Sequence, residues 1–237
     1  MHDAHFHLTE RLYADLKRLQ IPGIANAASK AEYLECTRKA EEAAFCVSAG
    51  IHPWYAEETA QEEILPCLEA APIIGEIGLD RLWCSTPWEI QCAVFEKQLS
   101  YAEKHRKPVI CHLKDAEREA LPFLRRYPNT YLIHWYSCRE HLEEYIALGC
   151  YFTVGPSVGR DPAVTQVASK VPPDRLLLES DGIGAVAWAL GLPEERVDYE
   201  GTLRRSLAAV AALRSLTEAE AEKQLDRNFR RFLSAMR

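Results

Sequence analysis

The stretch Pro72-Ile73-Ile74-Gly75-Glu76-Ile77-Gly78-Leu79-Asp80 drives a carboxylate through an apolar run. Isoleucines bounded by Pro and Gly read as a short strand buried on both faces, as in a parallel sheet. An unpaired Glu in that setting costs on the order of several kcal/mol, so a cationic partner is expected on Glu76. Taken alone, Glu76 is equally well explained by a Lys or Arg partner or by the start of the next helix.

Similar segments lie on both sides. Asp3-Ala4-His5-Phe6-His7-Leu8 alternates polar with apolar, and as a strand it sets Asp3, His5 and His7 on one face. Further strands are predicted at 22–27, 45–50, 108–112, 130–134, 150–154 and 175–181, the third running into the loop Gly50-Ile51-His52-Pro53-Trp54. Helices are predicted over 29–44 and roughly 57–68, and from Trp88, where Cys92, Phe95, Leu99 and Ala102 continue an apolar stripe. Pro122 predicts a kink or an early stop in the helix after the fifth strand. Two helices close the chain, one along Leu203, Leu207 and Val210, the other opened by the capping-box pair Thr217 and Glu220. Eight strands alternating with helices in 237 residues predict an α/β fold, a (β/α)8 TIM barrel, with 1–237 as a single domain.

A hydrophobic content of 48% supports one substantial core. There is no apolar stretch of about 18 residues and no basic leader at the N-terminus, so a soluble, cytoplasmic protein without membrane association is expected. Eight cysteines without a Cys-x-x-Cys pair suggest neither a disulfide framework nor a zinc ribbon. A formal net charge of -7 excludes a generally nucleic-acid-coating surface while leaving room for a basic patch inside a cleft. The oligomeric state is left open.

In a (β/α)8 barrel the chemistry sits at the C-terminal ends of the strands. His5 and His7 fall at the end of the first predicted strand, Glu76 of the fourth, His112 of the fifth, His134 of the sixth and Asp181 of the eighth. A lone histidine is ordinarily a satisfied core or loop residue, but six such groups at one face suit two divalent metal ions bridged by a carboxylate. Glu76 is the natural bridge. His5, His7 and Asp181 complete one site, and His112 with His134 the other; Zn, Mn and Mg all match this donor set. The reaction implied is hydrolysis, with Glu76 and Asp181 as the catalytic carboxylates and Asp181 as the general base.

Several segments belong together: Asp3-x-His5-x-His7, Gly50-Ile51-His52-Pro53, Gly75-Glu76-x-Gly78-Leu79-Asp80, Pro108 to Ala116, His134, Glu179-Ser180-Asp181, and Asn228 to Phe232. Over nearly the whole chain they resemble the TatD family of metal-dependent deoxyribonucleases, in the amidohydrolase superfamily. The resemblance implies a phosphodiesterase acting on single-stranded DNA or short nucleotides. The chain departs from the family pattern in three places. Lys114 stands where the family usually has Arg, Trp135-Tyr136-Ser137-Cys138 replaces Cys-Phe-Ser/Thr-Gly, and Gly182-Ile183-Gly184-Ala185 replaces an Ala-Pro-Tyr run. Two other functions fit the same residues: hydrolysis of a small-molecule ester, lactone or amide, and a metal-binding partner subunit with reduced catalysis.

Substrate contacts are expected from His52, Lys114, Arg160 and Trp135. His52 follows the third strand, and Lys114 and Arg160 suit a phosphate, Arg160 from the loop after the seventh strand. Trp54, Trp83 and Trp135 fall in loops at the same face and can stack on bases, or serve as packing or lid aromatics. His105 and His141 lie in predicted helices and are assigned no chemistry.

Overall fold

The computed structural model describes residues 1–236. Eight strands form one sheet in chain order, each parallel to the next: β1 (Asp3–Phe6), β2 (Gly23–Ala27), β3 (Phe45–Ala49), β4 (Ile73–Asp80), β5 (Val109–Lys114), β6 (Tyr131–Ile133), β7 (Tyr151–Val154) and β8 (Leu176–Leu178). Helices follow them: α1 (Glu10–Leu19), α2 (Lys30–Ala40), α3 (Gln61–Ala70), α4 (Trp88–His105), α5 (Glu117–Arg126), α6 (Leu142–Ala147), α7 (Pro162–Lys170), α8 (Ile183–Leu190), α9 (Tyr199–Leu213) and α10 (Glu218–Leu233). This is the (β/α)8 barrel. Among the described residues no helix is long and apolar enough to cross a membrane.

The expected boundaries shift in a few places. β1 stops at Phe6, so His7 stands beyond the strand, and β8 stops at Leu178, leaving Glu179 and Asp181 in the loop above it. The helix expected over 57–68 begins only at Gln61. α5 runs through Pro122 without ending, because Ala120, Leu121 and Leu124 bury its apolar face and outweigh one lost backbone bond. The Thr217 and Glu220 capping box opens α10 as expected.

Inside the barrel, Ala4, Ile24, Cys46, Ile73, Ile110, Leu132, Tyr151 and Leu177 supply one apolar side chain per strand, and Phe229 and Phe232 of α10 pack against that layer. Side chains repeat every two residues in a strand, so the next inward positions toward the C-terminal ends form a second layer. That layer is polar: Asn26, Ser48, His112, His134, Thr153 and Glu179, all buried. In β4 the step from Ile73 to Glu76 takes three residues, across a register irregularity between Ile74 and Ile77. The fold therefore sets its chemistry on an apolar floor.

Side chains do much of the joining of β8 to β1. The Leu178 N–H donates to His2 Nε2 at 3.1 Å, the Ser180 N–H to Asp3 Oδ1 at 2.9 Å, and the Asp181 N–H to the His5 carbonyl at 3.0 Å. Asp3 Oδ2 also accepts from the Ser180 hydroxyl at 2.6 Å and the Tyr199 hydroxyl at 3.0 Å. Because His2 Nε2 accepts, its proton is on Nδ1, which donates to Asp226 of α10 at 2.9 Å. Asn228 of α10 donates to the carbonyls of Pro173 and Leu176 at the start of β8.

Asp3→Ala would leave three buried donors without an acceptor, each costing about 1–3 kcal/mol. The expected loss is about 3 kcal/mol or more, a fall in melting temperature of roughly 6–12 °C. Asp3→Asn retains an acceptor and should lose less. A thermal melt of Asp3→Ala within about 2 °C of the unmodified protein would show that Asp3 does not hold the seam.

Candidate metal centre

Glu76 is 2% exposed and lies among five imidazoles. Its two oxygens divide them. Oε1 faces His112 Nδ1 at 2.9 Å and His134 Nε2 at 2.7 Å. Oε2 faces His7 Nε2 at 3.2 Å, His5 Nε2 at 3.5 Å and His52 Nε2 at 3.9 Å. Asp181 Oδ1 joins the second group, 3.3 Å from His5 Nε2 and 3.7 Å from His7 Nε2. All six residues expected to bind metal thus come together, and His52 comes with them.

Local backbone sets this geometry. β4 and β5 approach so closely that a Cβ on Gly78 would stand 1.7 Å from the His112 carbonyl oxygen, so only glycine fits there. Asp181 has a left-handed backbone, φ 60°, and Gly182 behind it, φ 89°, lies where a Cβ would meet the His7 carbonyl. Trp135, directly after His134, is also left-handed at φ 38°, which is uncommon for a bulky side chain. Non-glycine residues held in this region cluster at functional sites.

Burial raises the pKa of Glu76, but His134, His5 and the hydrogen bonds from His112 and His134 more than reverse this and hold it well below the carboxylate range. Asp181 behaves similarly: burial raises it, and His5, His134 and His7 bring it down to about 2. His7 is the most open of the set, 46% exposed; desolvation lowers it, but Glu76 and then Asp181 raise it to about 9. Both nitrogens of His5, Glu76 Oε2 and Asp181 Oδ1 are buried without a hydrogen-bond partner among the described residues. Such atoms are costly unless a cation completes them, so the donor set fits a metal. Three overlapping ligand groups lie within metal-binding reach: His5, His7 and Glu76; His52, Glu76 and His112; and His5, His134 and Glu179.

A supporting layer escaped the reading of the sequence. Asp80 Oδ2 lies 3.0 Å from His112 Nε2, so the imidazole turns Nδ1 toward Glu76. The same oxygen accepts from the Trp54 indole at 2.6 Å, and Asp80 Oδ1 accepts the Leu82 and Trp83 N–H groups. Glu179, fully buried and raised to about 7 by desolvation, lies 3.6 Å from His134 Nδ1. Two glutamines of α4 brace the loops: Gln98 bonds both the N–H and the carbonyl of Ile51, beside His52, and Gln91 does the same for Asp80. For Asp80 and Glu179 the available signal was position. Each lies two or four residues beyond a strand's last inward apolar or ligating residue, on the face with period two.

The expected substrate residues are placed differently from one another. His52 lines the centre, and its Nδ1 accepts from the Trp54 N–H at 3.2 Å. Lys114 is buried, its ammonium donating to the Trp135 carbonyl at 2.7 Å, and burial lowers its pKa. Arg160 is exposed and lines a separate cavity of about 90 Å³ with Arg205, Thr202 and Ser206, to which no histidine contributes.

A family model described as TatD related DNase matches residues 2–234. The chain is similar to the 3'-5' ssDNA/RNA exonuclease TatD of Rahnella sp. (strain Y9602), 34% identical over 167 residues, covering 65% of this chain and 64% of that protein. It is also similar to an uncharacterized metal-dependent hydrolase, YabD of Bacillus subtilis (strain 168), 30% identical over 143 residues and 56% of each chain. The matches span roughly three-fifths of the length of these curated relatives. Among solved structures, YjjV, a TatD homolog from Escherichia coli K12, superposes with a TM-score of 0.82 at 24% identity over 95% of both chains, a likeness of fold.

Asp80→Ala removes the carboxylate that orients His112. Loss of such a supporting group typically weakens metal affinity by about 10- to 100-fold. Calorimetric titration of the metal-free protein with zinc should show that loss, and an unchanged affinity would remove Asp80 from the centre.

Proposed function

The chain belongs to the TatD related DNase family, and from that premise we propose that it is a two-metal hydrolase of phosphodiester bonds in single-stranded nucleic acid or short nucleotides. The observation that carries this reading is the division of donors by Glu76: Oε1 toward His112 and His134, Oε2 toward His5 and His7, with Asp181 beside them. His5, His7 and Asp181 would hold one ion, His112 and His134 the other, and Glu76 both. When bound, the ions supply a nucleophilic water near neutral pH and neutralise charge on the phosphoryl oxygens.

The protein's own residues do the rest. Asp181, held near pKa 2, is ionised at neutral pH, so it can accept a proton as attack on phosphorus proceeds. Its backbone N–H, bonded to the His5 carbonyl, fixes the carboxylate against His5 and His7. Lys114 adds a buried positive charge near the centre, opposing Glu179, Asp181 and Glu76. His52 stands beside His112, with ring centroids 4.3 Å apart, and faces Glu76. The nucleic-acid preference rests on the similarity to the Rahnella protein, a 3'-5' ssDNA/RNA exonuclease.

Elemental analysis of protein reconstituted with zinc, manganese or magnesium should find about two ions per chain, and Glu76→Ala should lose both the ions and the activity. Retained turnover in Glu76→Ala would rule out its bridging role. Asp181→Asn should keep the fold while slowing cleavage of end-labelled single-stranded DNA and RNA by roughly a hundredfold or more. Its metal content must be measured alongside, because joint loss of metal and rate would assign Asp181 as a ligand only. Turnover of lactones with no phosphodiester cleavage would replace the nuclease reading with the small-molecule one.

A further inference from the structure

Three tryptophans, Trp83 and Trp135 from loops and Trp188 from α8, meet edge to face over the barrel mouth. Trp135 and Trp188 have ring centroids 6.2 Å apart, and Trp188 and Trp83 6.0 Å apart with planes at 84°. Trp135 is 7% exposed, whereas Trp83 is 52% and Trp188 69% exposed. Core packing does not account for the outer two. α8 already buries Ile183, Val186 and Ala187, and Trp188 lies outside that face. In a perpendicular pair one ring gives its edge and keeps both faces open, and the other keeps one.

The array is fixed to the centre at two points. Asp80, which orients His112, also accepts the Trp83 N–H at 2.8 Å. Trp135 directly follows His134; its N–H donates to Thr153 Oγ1 at 2.9 Å and its carbonyl accepts from Lys114 at 2.7 Å. Rigid aromatic faces beside a phosphate-cleaving site match one ligand chemistry: the planar, apolar faces of a nucleobase, whose stacking is tolerant of sequence.

We propose that Trp188 and Trp83, supported by Trp135, form a stacking clamp for a base of the single-stranded substrate adjacent to the phosphate at the centre. The clamp rests on the nuclease reading. It positions the strand and reads the presence of a base, not its identity, because no side chain in the array offers a hydrogen-bonding edge other than the indole N–H.

The test uses the metal-reconstituted protein, an octamer of thymidylate, and the same octamer with one abasic site at each of its three terminal positions. Trp188→Ala should raise KM for the octamer about tenfold, with kcat within twofold of the unmodified enzyme. Trp188→Phe should keep KM within threefold. An abasic site at one position should cost the unmodified enzyme a similar factor and cost Trp188→Ala nothing more, since the two changes remove the same contact. Quenching of tryptophan fluorescence by the octamer in chelator should weaken in Trp188→Ala, and its thermal melt should match the unmodified protein. Native KM in both Trp188→Ala and Trp83→Ala, with the octamer still cleaved, would overturn the clamp and leave the nuclease reading standing. So would an equal loss on the intact and abasic octamers. If the unmodified enzyme neither binds nor cleaves the octamer, both readings fall together.

Discussion

A carboxylate held almost out of water is the constraint on which this structure depends. Moving an ionised Glu into a barrel interior is unfavourable by several kcal/mol on the order given by transfer and pair measurements, and the cost is offset only by opposite charge or a metal. Five imidazoles face Glu76 and can offset that cost, and two of them, His5 and His7, also face Asp181. The polar layer is therefore one electrostatic unit, and no member of it can be understood singly. Asp181 is held low by the same histidines that hold Glu76 low.

Such a unit needs a stiff frame, and the frame is built from uncharged contacts. The apolar layer of one side chain per strand, closed by Phe229 and Phe232, sets the depth at which the polar layer sits. Gln91 and Gln98 of α4 fix the backbone at Asp80 and Ile51, so a single helix braces two loops that carry donors. Asp3 and His2 tie β8 to β1, and that joint lies directly beneath Asp181. The seam and Asp181, the proposed base, therefore share one short segment.

The left-handed residues of the site point the same way. Trp135 stands two residues beyond β6 and Asp181 three beyond β8, where the chain must turn sharply while still presenting a side chain to the mouth. Surrounding hydrogen bonds hold both. Trp135 is bonded at its N–H and its carbonyl, and Asp181 at its N–H, so the strain is maintained by neighbours instead of relaxing.

The sequence by itself determined the eight strands, their alternation with helices, and the six residues that gather at the C-terminal ends. Those properties are local: a period of two, an apolar run with Gly and Pro at its borders, and a His or carboxylate at the point where the run stops. It did not show that His7 stands beyond β1, that α5 continues through Pro122, or that Lys114 is buried on the Trp135 carbonyl. Nor did it assign Asp80 and Glu179 to His112 and His134, or bring Trp188 to Trp83, since those pairings join residues 32 to 105 positions apart. Only the tertiary structure decides them. Curling the sheet turns the C-terminal ends of its strands toward one mouth, where loops far apart in the chain become neighbours.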